Sequence, residues 1–228
     1  MRRTSPKSLR PEDALDRLRA LANPANVAGM ARFGINSHHT LGIPIPALRK
    51  LAREAGRDHA LADALWESGV HEARILAALV DDPALVTEEQ MERWVAGFDS
   101  WDVCDQVCSN LLDRTPFAYR KAAEWSARPE EFVKRAGFAL MAALAVHDKA
   151  APDAAFLAFL PLIERETGDD RNFVKKAVNW ALRQIGKRNG GLRGAAIETA
   201  RRVRGQGSRS ARWIASDALR ELEGKGPA

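Results

Sequence analysis

A tryptophan surrounded by basic residues is the first feature of this sequence that points to chemistry. At about 100° per residue, Lys176, Trp180, Arg183 and Lys187 share one side of a predicted helix. A flat ring among positive charges suits a polyanion that also presents rings or sugars, and DNA and RNA are the usual polymers of this kind. The alternative is a solvated basic face whose tryptophan covers the edge of a core.

A second tryptophan shares a helix face with a carboxylate. Trp101 and Asp105 are four residues apart and point roughly 110° away from the middle of the helix's apolar stripe. Arg135 likewise lies away from the apolar positions of the helix predicted at 132–144. We therefore expect all three side chains to be accessible. Taken singly, each also has an ordinary explanation, as a core tryptophan, a first-turn carboxylate or a solvated cation.

The elements that must position these residues are helices. Alternating β-branched residues never persist, whereas Ala, Leu, Arg and Glu recur with helical spacing. Helix-start signals recur along the chain, at Pro11, Thr87, Thr115, Pro129 and Pro152. Between the breakers, about ten to thirteen helices fit. The chain is predicted to be all-α.

The sequence also repeats itself at a spacing near 40 residues. FVKRA at 132–136 returns as FVKKA at 173–177, and ALRQI at 181–185 returns as ALREL at 218–222. Periods near 40 are typical of HEAT-like helical repeats, which stack into a curved solenoid whose concave face can follow a cylindrical ligand. The predicted fold class is a right-handed α-α superhelix of HEAT-like repeats.

Composition and charge limit the function classes. The 228 residues predict a single folded domain over 1–228 with flexible tails at 1–10 and 223–228. Residues 171–228 hold 14 Lys and Arg against 4 Asp and Glu, a balance of +10, whereas residues 1–170 hold 21 against 26, a balance of −5. Such asymmetry favours a polyanionic partner, although basic tails are also common on proteins without one.

The sequence contains no motif typical of metal binding, nucleotide binding or membrane insertion. Cys104 and Cys108 provide neither a disulfide framework nor a metal set, and His71-Glu72 lacks the second histidine of a zinc motif. No glycine-rich phosphate loop occurs, and no apolar run approaches the roughly 20 residues that span a bilayer. We expect a monomer without metal or cofactor, located in the cytoplasm and associated with the nucleoid.

Several short segments together resemble one family. In order they are Met30-Ala31-Arg32-Phe33; Leu41-Gly42-Ile43 with Pro46 and Arg49; Trp101-Asp102-x-x-Asp105; Arg135-Ala136; and Lys176-Ala177-x-x-Trp180-x-Leu182-Arg183. In this order and spacing the chain resembles, from about residue 30 to 222, the AlkD-like family of HEAT-like-repeat alkylpurine DNA glycosylases, also called DNA alkylation repair enzymes.

The resemblance implies a role for each matched residue. Trp101 and Trp180 would flank a cleft on the concave DNA-binding face, with Asp105 as the catalytic carboxylate and Arg135 beside the DNA backbone. Phe33 stands where the family commonly has tyrosine, so it can pack or stack but makes no phenol hydrogen bond. The basic face predicts that Lys176, Arg183 and Lys187 bind DNA as well.

The implied reaction is hydrolysis of the N-glycosidic bond of a cationic N3- or N7-alkylpurine in duplex DNA. Such a base is already positively charged, so it leaves without a general acid, and a carboxylate and two π faces stabilise the positive charge that develops on the sugar. Most glycosylases extrude the base, whereas the resemblance implies catalysis on a stacked base. The alternatives are a non-catalytic HEAT-repeat protein that binds DNA structures and a protein-binding helical scaffold.

Overall fold

A computed structural model describes residues 9–224, which contain fourteen α-helices, one 3₁₀ turn and no strand. The all-α prediction is confirmed, with one helix more than the upper expectation. The described chain divides into two compact units: one holds the residues up to Trp94 together with Asp99–Leu111, and the other holds Val95–Phe98 and the residues from Leu112 onward. That the chain folds as one domain stays a prediction.

The first unit is built on α5, which packs against several other helices. Its helices are α1 (Pro11–Ala20), α2 (Pro24–Ala31), α3 (Ile45–Ala55), α4 (His59–Glu67), α5 (His71–Val80), most of α6 (Glu88–Ala96), and α7 (Trp101–Asn110). Helices α3 and α7 both pack on α5, and α4 packs on α5 with α1 beside it. The helix that carries Trp101 and Asp105 is therefore held by α5.

The second unit consists of two neighbouring rows of helices. After a 3₁₀ turn (Leu112–Arg114), its helices are α8 (Ala118–Ser126), α9 (Glu131–His147), α10 (Asp153–Leu157), α11 (Leu160–Glu166), α12 (Asn172–Gly186), α13 (Gly190–Arg204) and α14 (Arg209–Gly224). One row runs α9, α12, α14, and the other runs α8, α11, α13. Each of these six helices packs against neighbours in both rows, which is the arrangement expected of stacked helical repeats.

Local sequence signals account for many of the helix ends. The hydroxyl of Thr87 accepts a hydrogen bond from the Gln90 backbone N–H (3.1 Å) at the start of α6. Helix α9 begins two residues after Pro129, and α10 begins directly after Pro152. Gly56 follows α3 with φ of +75°, a conformation that glycine adopts without a steric penalty.

The predicted apolar stripes form the core. In α7 the stripe is fully buried: Val103, Cys104, Val107, Cys108 and Leu111. In α12 it is fully buried as well: Val174, Ala177, Val178, Ala181 and Ile185. The repeat is also visible in space, because the rings of Phe132 and Phe173, at matching positions of the first repeated motif, stack with centroids 5.7 Å apart.

The predicted tails lie mostly outside the described residues, which exclude 1–8 and 225–228. Where they are described, Arg10 directly precedes α1, and Glu223 and Gly224 still belong to α14. Glu223 and Gly224, at the start of the predicted C-terminal tail, are thus helical, and the flexibility of both tails stays a prediction. None of the described helices combines the length and apolar character needed to cross a membrane.

Candidate DNA-binding and catalytic residues

The residues predicted for the site lie in both units. The first unit contains Phe33, Trp101 and Asp105. The second unit contains Arg135, Lys176, Trp180, Arg183 and Lys187.

Trp101 and Asp105 lie on the half-buried side of α7, as the helical spacing predicted. The indole Nε1 of Trp101 donates a hydrogen bond to the backbone carbonyl of Phe33 (3.1 Å), which restrains the ring relative to the segment after α2. The Phe33 ring itself is 71% exposed. The restrained Trp101 ring and the Asp105 carboxylate thus share one helix face. The exposed Phe33 is connected to this ring through its backbone carbonyl.

The start of α7 is held by the buried His71, for which the sequence predicted no role. Asp102 accepts hydrogen bonds from the Ser100 hydroxyl (2.6 Å) and from His71 Nε2 (2.8 Å). Burial opposes the charged imidazolium, but the hydrogen bond and charge of Asp102 outweigh it and raise the pKa of His71. Burial likewise opposes ionisation of Asp102, but the hydrogen bond and charge of His71 together with the bond from Ser100 outweigh it and lower the pKa of Asp102. The pair is an internal ion pair that connects α5 to α7.

Glu72, the next residue of α5, fixes the segment that leads into α3. Its buried carboxylate accepts backbone hydrogen bonds from Leu41 (2.8 Å), Gly42 (2.6 Å) and Ile43 (3.2 Å). Gly42 has φ of +77°, and a Cβ there would lie 2.3 Å from the Asn23 carbonyl oxygen. The Leu41-Gly42-Ile43 motif is thus a backbone nest around a buried carboxylate.

The segment between α2 and α3 has further attachments to α5 and to the turn before α7. The amide Nδ2 of Asn36 donates to Asp99 (2.9 Å), and the backbone N–H of His71 donates to the His39 carbonyl (3.0 Å). Together with the bonds to Trp101 and Glu72, these contacts hold the segment at both of its ends. The position of the exposed Phe33 is therefore coupled to that of Trp101.

Arg135 was expected to be accessible, and that expectation is wrong. The residue is only 5% exposed, and its Nη1 donates to the Phe173 carbonyl (2.6 Å) at the start of α12. Every residue of α9 from Val133 to Ala145 is buried, because the helix packs between α8 and α12. The continuous apolar run from Ala136 to Val146 is the sequence signal for such a helix. Whether Arg135 also contacts DNA stays a prediction.

The basic face around Trp180 is partly neutralised. Trp180 is half-buried at the edge of the α12 stripe, as predicted, and Lys176 is exposed. Arg183 and Lys187, however, each lie 2.6 Å from the carboxylate of Glu221 on α14. Hydrogen bonding from Lys187 lowers the pKa of Glu221 against the effect of burial, and the charge of Arg183 lowers it further, so the carboxylate is ionised beside both cations.

Fold and site together define a class: an all-α helical-repeat protein with half-buried tryptophans and one carboxylate on helix faces outside the core. The chain belongs to the DNA alkylation repair enzyme family, whose model matches residues 14–222.

Two known proteins are similar to this chain over most of its length. An uncharacterized protein of Listeria innocua serovar 6a is 26% identical over 196 residues, which cover 84% of this chain and 85% of that protein. A solved structure is similar to this chain with a TM-score of 0.77 at 19% identity, and covers 97% of this chain and 98% of its own. That protein is described as a member of a new family related to the HEAT-like repeat DNA glycosylases, with affinity for branched DNA structures. The likeness shows that this chain has the HEAT-like fold.

Proposed function

We propose that this protein is a DNA glycosylase that releases cationic N3- or N7-alkylated purines from duplex DNA and leaves an abasic site, as the first step of base excision repair. The observation that carries the proposal is the pairing of Trp101 and Asp105 on one half-buried face of α7, outside its apolar stripe. The proposal includes a monomeric protein in the cytoplasm that acts on the DNA of the nucleoid.

The chemistry follows from the charge of the substrate. An alkylated purine cation leaves as a neutral base, and the positive charge moves to the deoxyribose, which becomes oxocarbenium-like. The Asp105 carboxylate stabilises that charge and orients a water molecule toward the anomeric carbon, while the Trp101 ring packs on the sugar and contributes its π face. The bond from Trp101 to the Phe33 carbonyl restrains the ring before substrate arrives, so less ordering is needed on binding.

Trp180 and its neighbours supply the second part of the proposal. We assign Trp180 the role of the other ring that the family resemblance implies. Lys176, which is exposed, binds a phosphate, and Arg183 and Lys187 add smaller contributions because Glu221 neutralises part of their charge. The affinity for duplex DNA should therefore fall steeply with salt, and Lys176→Ala should weaken it for damaged and undamaged DNA alike.

Single-turnover release of N7-methylguanine from duplex DNA at saturating protein tests the catalytic assignment. Asp105→Asn should keep DNA affinity but slow release by roughly 10- to 1000-fold, equivalent to about 1.4 to 4 kcal/mol of transition-state stabilisation. Glu89→Gln, an exposed carboxylate on α6, is the matched control and should release base at the wild-type rate.

The tryptophans are tested in the same assay together with thermal melting. Trp101→Ala and Trp180→Ala should slow release while lowering stability by less than the roughly 3 to 5 kcal/mol that truncation of a core tryptophan costs.

An unchanged rate of base release for Asp105→Asn would remove Asp105 from the mechanism. DNA binding without release by wild type would favour a non-catalytic protein that binds DNA structures, which the solved relative with affinity for branched DNA makes the second candidate. No DNA affinity at low salt would favour the protein-binding scaffold.

A further inference from the structure

A third tryptophan, which is not among the motif residues that carry the family resemblance, is exposed on the second unit. Trp213 lies on α14 and is 40% exposed. The ammonium Nζ of Lys175 on α12 lies 5.8 Å from the centroid of its ring, which is a cation–π contact. An exposed indole is unusual on a helix whose other large apolar residues, Ile214, Leu219 and Leu222, are buried.

Unlike Arg183 and Lys187 beside Trp180, the cations around Trp213 are not neutralised by carboxylates of the described residues. Within residues 9–224, no ion pair involves the exposed Arg209 and Arg212 or the adjacent Lys175 and Lys176. The carboxylate of Asp217, one turn beyond Trp213, is itself paired with Arg183 (3.5 Å) and Arg220. Positive charge that no carboxylate of the described residues compensates therefore lies next to Trp213, with Lys175 over its ring and Arg209 and Arg212 on the same helix.

The repeat places Trp213 in register with a residue already predicted to contact DNA. A shift of 37 residues, which relates the ALRQI and ALREL motifs, brings Lys176 onto Trp213. Helices α12 and α14 are neighbours in one row, so matching positions lie on corresponding sides of adjacent helices. On α14, Trp213 therefore occupies the exposed helix position that Lys176 occupies one repeat earlier, on α12.

We propose that Trp213, with Lys175, Lys176, Arg209 and Arg212, is a binding site for a DNA segment with unpaired bases. The cations bind phosphates, and the indole stacks on a base. Inside a duplex the base faces are covered by their neighbours, so an exposed ring gains most from a base in a single-stranded extension or gap. The site takes part in no bond-breaking step, and it rests on the proposed function only in that DNA is the ligand.

Two unmodified ligands test this site: a blunt duplex, and the same duplex with a single-stranded extension of thymidines. Wild type should bind the extended duplex more tightly. Trp213→Ala should weaken binding to the extended duplex by about 5- to 150-fold, the range for loss of one base–aromatic stack, and leave affinity for the blunt duplex essentially unchanged. Trp213→Phe should retain most of the preference because it keeps a ring. Arg209→Ala should weaken binding to both ligands.

Equal losses on the two ligands, or no loss on either, would overturn the proposal. Because Trp213 is exposed, Trp213→Ala should melt like wild type, which separates loss of stacking from loss of fold. Release of N7-methylguanine from a blunt duplex separates this inference from the proposed function. A Trp213-dependent preference without release by wild type leaves the binding site standing and removes the glycosylase, and release without that preference does the reverse.

Discussion

Replacing Glu221 with glutamine should make the protein bind duplex DNA more tightly. The Glu221 carboxylate lies 2.6 Å from both the Arg183 guanidinium and the Lys187 ammonium, and its lowered pKa keeps it charged at neutral pH. In Glu221→Gln the local charge next to Trp180 rises by one. One of the two cations then becomes available to a phosphate.

The magnitude follows from counterion release. Each additional phosphate contact steepens the slope of log K against log salt by about 0.9, which corresponds to about 5-fold tighter binding at about 0.15 M salt. The cost in stability is small, because the side chains of Arg183, Lys187 and Glu221 are each between 22% and 29% exposed. Ion pairs at the surface contribute about 0 to 1 kcal/mol, so the variant should remain folded.

Fluorescence anisotropy of an undamaged labelled duplex, measured over a salt series, gives both quantities. The matched control is Glu223→Gln on the same helix, which frees the exposed Arg201 instead of the cations beside Trp180. If only the total charge of the protein mattered, the two variants would gain affinity equally. An equal gain, or unchanged or weaker binding by Glu221→Gln, would refute the view that Glu221 limits the basic face.

Three further predictions concern the scaffold. Glu72→Gln should lower the free energy of unfolding by about 1 to 3 kcal/mol in chemical denaturation. The amide oxygen can still accept from Gly42 and Ile43, but an NH2 group replaces the oxygen that accepts from the Leu41 N–H, and the negative charge is lost. A loss below about 0.5 kcal/mol would contradict that role. The His71–Asp102 ion pair should stabilise the protein over a limited pH range. Because the pKa of His71 is raised in the folded state, its contribution is complete below the ordinary pKa of 6.5 and is lost as the pH rises further. Because the pKa of Asp102 is lowered, its contribution is complete above the ordinary pKa of 3.8 and is lost as the pH falls further. In thermal melts, wild type should therefore exceed His71→Gln most between those two values, and a pH-independent difference would argue against the ion pair. Gly137→Ala should destabilise by about 1 to 3 kcal/mol, because a Cβ would lie 2.5 Å from the Ser126 backbone nitrogen; melting at the wild-type temperature would contradict it.

Sequence periodicity was sufficient to predict the helices, their buried apolar stripes and the repeat. The apolar stripe of α12, from Val174 to Ile185, is buried as predicted. Trp101 and Trp180 are half-buried and lie outside the apolar stripes of their helices. These properties depend on the order of side chains around one helix axis. They are therefore readable before any neighbouring helix is known.

The same periodicity predicted too much freedom for Arg135. Its angle on α9 is as expected, but that side of the helix is covered as well, and the guanidinium donates to a carbonyl 38 residues away. Burial of a side chain depends on how many helices surround its own, and a single-helix projection contains no such information.

Tertiary structure alone decided which charges compensate each other. Arg183 meets Glu221 across 38 residues, His71 meets Asp102 across 31, and Glu72 binds the backbone of Gly42 across 30. Each contact joins residues on separate elements that are distant in sequence, so no spacing rule within one helix finds it. The sequence by itself determined which side chains face outward from each helix, and the packing of neighbouring helices determined which of those side chains keep their charge for a ligand.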